Sequence, residues 1–199
     1  MKPPASAIAA ALLFITAPSA GRAATFLVHP GGENKVSFTS RAAMERFEGK
    51  TSRLEGSIVV DPATVGDSAT VHFEVDLASL DTGIAKRNQH MREAHLETAT
   101  YPKAVFDGVA IRPGSGALSS GKPVTLDVEG TFTLHGVAHR IQLTVVAAYK
   151  QSGKEDRIEF QTAFPVALAD YRISRPQFLF LKLADVQQVR VRGVAVASP

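Results

Sequence analysis

Apolar residues recur at every second position in one stretch of the chain after another, the signature of strands with one buried and one wet face rather than of helices. Val71, Phe73 and Val75 alternate with Thr70, His72, Glu74 and Asp76. Leu126, Val128, Gly130, Phe132 and Leu134 alternate with Thr125, Asp127, Glu129, Thr131 and Thr133, and Ile141, Leu143 and Val145 alternate with Gln142 and Thr144. Val189 and Val191 alternate with Arg190 and Arg192, after which Gly193 shifts the apolar phase to Val194 and Val196 and predicts a β-bulge. Less regular strands are expected around residues 26–28, 36–40, 58–60, 105–111 and 158–164, with turn-forming Gly, Pro, Asp and Ser between them. Eight or nine short strands of this kind predict an all-β sandwich or barrel.

Two stretches break the pattern. In residues 82–98, "TGIAKRNQHMREAHLET", Ile84, Met91, Ala94 and His95 fall near helical spacing. Thr82 can cap the start and Tyr101-Pro102 forbids continuation, so one short helix is expected over about 84–95, joining two strands. The second stretch, residues 170–185, carries the unbroken apolar run Phe178, Leu179, Phe180, Leu181, which implies burial on both faces. Half-apolar antiparallel strands hide their apolar face against a second sheet or by closing on themselves. An eight-stranded barrel is just wide enough to be filled by side chains or to hold one small ligand. In water its interior is apolar, and the chain has 11 Phe and no Trp to line it. Alternation alone leaves a filled core and a hollow lumen equally open.

The N-terminus changes the picture of where the fold begins. Lys2 precedes an apolar run from 7 to 16, followed by small residues to Ala23, the marks of a secretory signal peptide cut after Ala23. The run is shorter than the roughly 20 residues a membrane span needs. The expected domain is therefore 24–199. Losing Lys2 and Arg22 leaves 20 basic residues against 19 acidic ones, a net charge of +1 in place of +3. No basic stripe of the kind that binds nucleic acid is visible. There is no Cys, which removes disulfides, thiol catalysis and Cys-ligated metals. His135 and His139 lie on a turn without a nearby acid, and His90 and His95 fall on different helix faces, so no metal set is read. Ser79 has no nucleophile elbow around it, so no catalytic residue is assigned.

The stretch "VDLASLDTGIAKRNQHMREAHLETATYPKAVFDG" resembles the central motif of the YceI-like family, a strand ending in Ser-Leu-Asp-Thr-Gly, a basic helix, and a Tyr-Pro-x-Ala-x-Phe strand. "VEGTFTLHGVAHRIQLTV" is similar to the family's next hairpin and "GKTSRLEGSIVVDP" to an earlier one. The resemblance implies an extended, lipocalin-like, antiparallel eight-stranded β-barrel with one short helix insert, exported to the periplasm. It also implies an amphiphilic lipid of the polyisoprenoid or isoprenoid quinone class in the lumen, with no cofactor and no general catalytic activity. Mapped onto this chain, the lumen is lined by Phe38, Val71, Phe73, Val75, Phe106, Phe132, Leu143 and Phe164. Arg87 and Arg92 on the basic helix either meet the lipid headgroup at the barrel mouth or, for Arg87, pin the helix through strand carbonyls or Asp81. The sequence departs from the family pattern at Asn88, where Asp is common, at His95, at His139-Arg140, and at Arg172, which replaces a Gly. Two other readings stay open: an enzyme or accessory protein of isoprenoid metabolism, and a partner-binding β-protein with a filled core. A homodimer is compatible with each.

Overall fold

The computed structural model describes residues 23–41, 46–62, 69–112, 118, 121–151, 155–178 and 181–198. The signal-peptide stretch, and Leu179 and Phe180 of the apolar run, lie outside the described residues. The strands are β1 (Ala24–Val28), β2 (Lys35–Arg41), β3 (Arg46–Thr51), β4 (Leu54–Val60), β5 (Thr70–Asp76), β6 (Lys103–Arg112), β7 (Val124–Leu134), β8 (Val137–Lys150), β9 (Arg157–Ala167), β10 (Gln177–Phe178), β11 (Leu181–Lys182) and β12 (Val186–Ala197). Helix α1 (Ala85–His90) runs directly into one π-helical turn, Met91–His95, and 3₁₀ turns occupy Leu77–Ser79 and Leu168–Tyr171.

The order β1-β4-β5-β6-β7-β8-β9-β12 closes into a ring because β12 also pairs with β1, through Phe26↔Ala197 and Leu27↔Val196. Every pairing is antiparallel. Farther along β12 the place of β1 is taken by β2, to which β3 adds, so β1 with β2 and β3 with β4 each read as one interrupted wall strand. The result is a closed eight-stranded antiparallel barrel with one short helix insert, as the resemblance implied. Hairpin β7–β8 turns on two residues of positive φ, His135 at 51° and Gly136 at 71°. That pair of left-handed residues matches the twist of the flanking strands.

Two expectations are corrected. Gly193 is not a bulge: β12 keeps one register against β9 from Val186↔Ala167 to Val196↔Arg157. Gly193 and Ala195 are buried on the inner face, so Val194 and Val196 lie on the outer one, and apolar residues on both faces imitate a change of phase. The register shift sits instead in β6, between Ala110 and Arg112. Thr82 does not cap the helix. The cap position is Ile84, which makes no side-chain cap bond.

The interior is one apolar column built from two clusters. Phe26, Leu54, Ile58, Val60 and Ala195 pack at one end, and Leu77, Leu80, Met91, Phe132, Leu168, Tyr171 and Ile173 pack at the other, under the helix insert. Val71, Phe73, Val75 and Val145 touch both. Phe26, 1% exposed and edge-on to Tyr149 at 6.2 Å, is the largest side chain of the strand that closes the ring. Phe26→Ala is expected to cost about 3–5 kcal/mol, seen as a lower urea midpoint with an unchanged slope.

Candidate functional site: an apolar lumen with a strapped end

The column encloses a cavity of about 130 Å³. Its wall is formed by β4 to β9 and β12, and it is apolar except for Thr162, whose hydroxyl donates to the Thr144 carbonyl at 2.9 Å. Val71, Phe73, Val75, Phe106, Phe132, Leu143 and Phe164 all line it. Phe38 does not: it packs edge-on to Phe47 at 6.2 Å, in the cluster beneath the helix. Phe160, Val145 and Val191 line the wall as well and were not singled out beforehand. Phe160 has the same parity in β9 as Phe164, which was the available signal.

Neither Arg87 nor Arg92 is part of the cavity wall. Arg87 donates from Nε to Thr82 Oγ1 and from Nη2 to the Thr82 carbonyl, both at 2.9 Å, and its guanidinium lies 4.0 Å above the Phe47 ring. It therefore ties the helix to the turn before it and to β3. Asn88 explains its own departure from the family pattern. Its Oδ1 accepts from Thr82 N at 2.9 Å and Thr82 Oγ1 at 2.7 Å, while its Nδ2 donates to Asp81 Oδ1 at 2.6 Å. An Asp in this place has no hydrogen to give Asp81. The Gly83 N–H, then Asn88, hold the Asp81 carboxyl below the usual carboxylate range. Gly83, at φ 79°, takes the left-handed backbone that lets its N–H turn onto Asp81 at 2.8 Å.

At the same end the wall is split. The β8–β9 ladder runs from Lys150↔Arg157 to Val145↔Thr162 and stops, although β8 continues beside β7 to Val137 and β9 continues beside β12 to Ala167. Pro165, which has no N–H to give a ladder, falls in the part of β9 that β8 leaves unpaired, opposite Gln188 of β12. From there the chain folds over as a strap, Leu168 to Arg175, and three histidines donate to its carbonyls. His139 Nε2 bonds Asp170 O at 2.9 Å, His135 Nδ1 bonds Tyr171 O at 3.1 Å, and His95 Nδ1 bonds Ser174 O at 3.0 Å. His135 Nε2 is buried without a hydrogen bond, 3.4 Å from Glu97 Oε1, and its ring leans on Tyr101 at 4.5 Å. Arg172 holds φ 54° within the strap, the backbone that a Gly adopts freely. The departures at His95, His139 and Arg172 thus fall on one seam. Among the described residues no group of three His, Asp or Glu side chains converges as a metal site, and no helix is long and apolar enough to cross a membrane.

Comparison with known proteins agrees with this geometry. The YceI-like domain matches residues 28–195. A UPF0312 protein of Vibrio parahaemolyticus is 29% identical over 164 residues, 78% of this chain and 81% of that protein. A UPF0312 protein of Vibrio cholerae is 29% identical over 126 residues, 61% of this chain and 62% of that protein, so the match spans less than two thirds of that relative. Among solved structures, a polyisoprenoid binding domain from Saccharophagus degradans superposes with a TM-score of 0.67 at 22% identity, covering 89% of this chain and 100% of that one. BcnA of Burkholderia cenocepacia gives 0.65 at 23% identity, covering 81% and 96%.

The strap carries a pH dependence with a defined sign. Burial first, then the nearby His90, holds His95 below its ordinary value of 6.5, against the opposing pull of the Ser174 carbonyl. A His depressed on folding contributes stability that is complete above its unfolded value and is lost as pH falls toward the folded one. Amide exchange in residues 170–175, corrected for intrinsic rate, is expected to quicken as pH drops below 6.5. His95→Gln should remove that step, measured by hydrogen exchange and mass spectrometry.

Proposed function

The chain belongs to the YceI-like family, and from that premise and the form of its lumen we propose that it is a non-catalytic carrier of an amphiphilic lipid of the polyisoprenoid or isoprenoid quinone class, working in the periplasm after export. The observation that carries this reading is the state of the inward-facing wall. Val71, Phe73, Val75, Val145, Phe164 and Val191 point inward yet stay only partly buried, around a cavity of about 130 Å³. A barrel filled by its own side chains packs such positions to the density of an organic crystal. Here they keep apolar surface that a hydrocarbon chain can cover, at about 25 cal/mol per Å². The likeness to a domain described as polyisoprenoid binding supports the choice of lipid.

The wall also bears on the enzyme alternative. None of the residues lining the cavity is titratable, and the Thr162 hydroxyl is already given to a backbone carbonyl. Such a wall solvates a chain and excludes water, but it holds no group to move a proton. The export reading rests on residues 1–23, whose short apolar run is followed by small residues.

Native mass spectrometry and solvent extraction of protein purified from the periplasm test the carrier. A copurifying isoprenoid lipid is expected. Added ubiquinone or a long prenol at one hundred times Kd should stabilise the fold by about 2.7 kcal/mol, roughly 5–10 °C in Tm. Phe132→Asp should abolish the shift while circular dichroism confirms a folded barrel. Absence of both copurifying lipid and a Tm shift in the unaltered protein overturns the reading.

A further inference from the structure

Strands β5 and β9 lie opposite each other in the ring, with three strands between them on either side. Phe73 of β5 and Phe160 of β9 reach across and stack, with centroids 5.0 Å apart and planes inclined by 29°. Both rings line the cavity, and the lining continues past them in both directions, to Val60, Ala69 and Leu118 on one side and to Phe132, Leu143 and Phe164 on the other. Each ring is seated over a glycine of the neighbouring strand in register with it. Phe73 faces Gly56, and Phe160 faces Gly193. A Cβ on Gly193 would stand 2.4 Å from Phe160 Cζ, its three nearest neighbours all being atoms of that ring. A Cβ on Gly56 would stand 2.7 Å from Phe73 Cδ1 and also strike the His72 carbonyl. A side chain of any size at 193 therefore lifts the Phe160 ring off the wall and toward Phe73.

We propose that Phe73 and Phe160 form an aromatic waist across the lumen that sets how far a single apolar chain runs into the barrel, with Gly193 as the shelf that fixes the position of the Phe160 ring. This deepens the lipid-carrier reading and rests on it. An apolar cavity of about 150 Å³ takes one benzene, so a space of about 130 Å³ accepts little more than one five-carbon isoprene unit while the rings stay stacked. A longer chain enters by parting them. Stacked rings cost less to separate than the backbone ladder on which they stand, so the waist yields and the wall stays. Because each further methylene buried tightens binding roughly fourfold, the waist makes the gain with chain length level off where the chain meets the rings. A chain with two tails does not fit side by side in a lumen crossed by two rings.

Competition of the five-carbon alcohol prenol, geraniol, farnesol and geranylgeraniol against a fluorescent prenyl probe tests this on the mature chain. The wild type should gain affinity from the shortest alcohol and then level off. Phe160→Leu, which keeps the position apolar, should bind the longest alcohol on the order of tenfold more tightly than wild type. Phe73→Leu, acting on the opposite ring, should do the same. Gly193→Ala should level off at a shorter chain than wild type. Thermal melts establish that each variant is folded, and general loosening of the core cannot move the levelling point in opposite directions. Identical chain-length profiles in all four proteins overturn the waist and leave the carrier reading standing. If no alcohol binds to any of the four, both fall.

Discussion

Closure of the last strand onto the first is made by two residue pairs, Phe26↔Ala197 and Leu27↔Val196, and the interior depends on it. Without them β1 and the end of β12 become sheet edges, and the apolar face that the ring encloses meets water. The junction is reinforced where it is weakest, at the break between β1 and β2. There the buried Asn34 accepts from Val194 N at 2.9 Å and donates to the His29 carbonyl at 2.7 Å. Its amide stands in for the backbone that is missing from the ladder. A chain without cysteine has no covalent means of holding this seam, so pairing, Asn34 and the buried Phe26 do so together.

Given closure, the width of the lumen follows from where glycine faces phenylalanine. Phe38 lies over Gly49, Phe106 over Gly108 and Gly130, and Phe160 over Gly193, each with ring atoms within 3 Å of where a Cβ would stand. A ring laid on a glycine covers backbone that would otherwise be bare. The same pairs account for glycine inside strands, where it is otherwise unfavourable by roughly 0.5–1 kcal/mol. Outside, the wall is laced by charge. Lys103 pairs with both Glu74 and Glu55 across three strands, and His72 Nδ1 meets Asp107 at 2.6 Å. Exposed pairs of this kind contribute little each, and they keep the outer face soluble while the inner one stays apolar.

The walls and seven lumen residues were legible because period-2 alternation is set by burial on one face, and the barrel buries one face along its length. Where that relation fails the sequence misled. Val194 and Val196 are apolar on the outer face, so Gly193 passed for a bulge when it is a seat for Phe160. Strand β3, "RFEGKT", has no alternation to read, because its inward Gly49 is covered by a ring from β2. Phe38 was placed in the lumen by the resemblance together with its face in the strand, which give the side it points to but not the height at which the cavity ends. That Arg87 pins the helix was legible, but its partners were not, because they are specific atoms of Thr82 and Phe47, fixed by a turn whose geometry depends on Asn88. The histidine seam was equally hidden. Its donors and acceptors are separated by 31 to 79 residues, and their common feature, backbone carbonyls of one strap, has no sequence pattern.

The two kinds of bond in the molecule also separate what holds from what moves. The wall is a cooperative ladder, in which opening one pair exposes its neighbours. The strap over the split end is held by three histidine-to-carbonyl bonds, each contributing about 0.5–1.5 kcal/mol, and by bonds from Leu168 N and Ala169 N to Asp185 and from Arg175 to the Leu183 carbonyl, while Arg172 sits in a left-handed backbone region that favours Gly. Opposing that, Leu168, Tyr171 and Ile173 are buried beneath it, with Tyr171 edge-on to Phe132 at 5.5 Å. Lifting the strap therefore costs mainly apolar area, and that area lies against the same Phe132 that lines the cavity. Phe132 thus belongs at once to the cavity wall and to the packing beneath the strap, so the two share one ring.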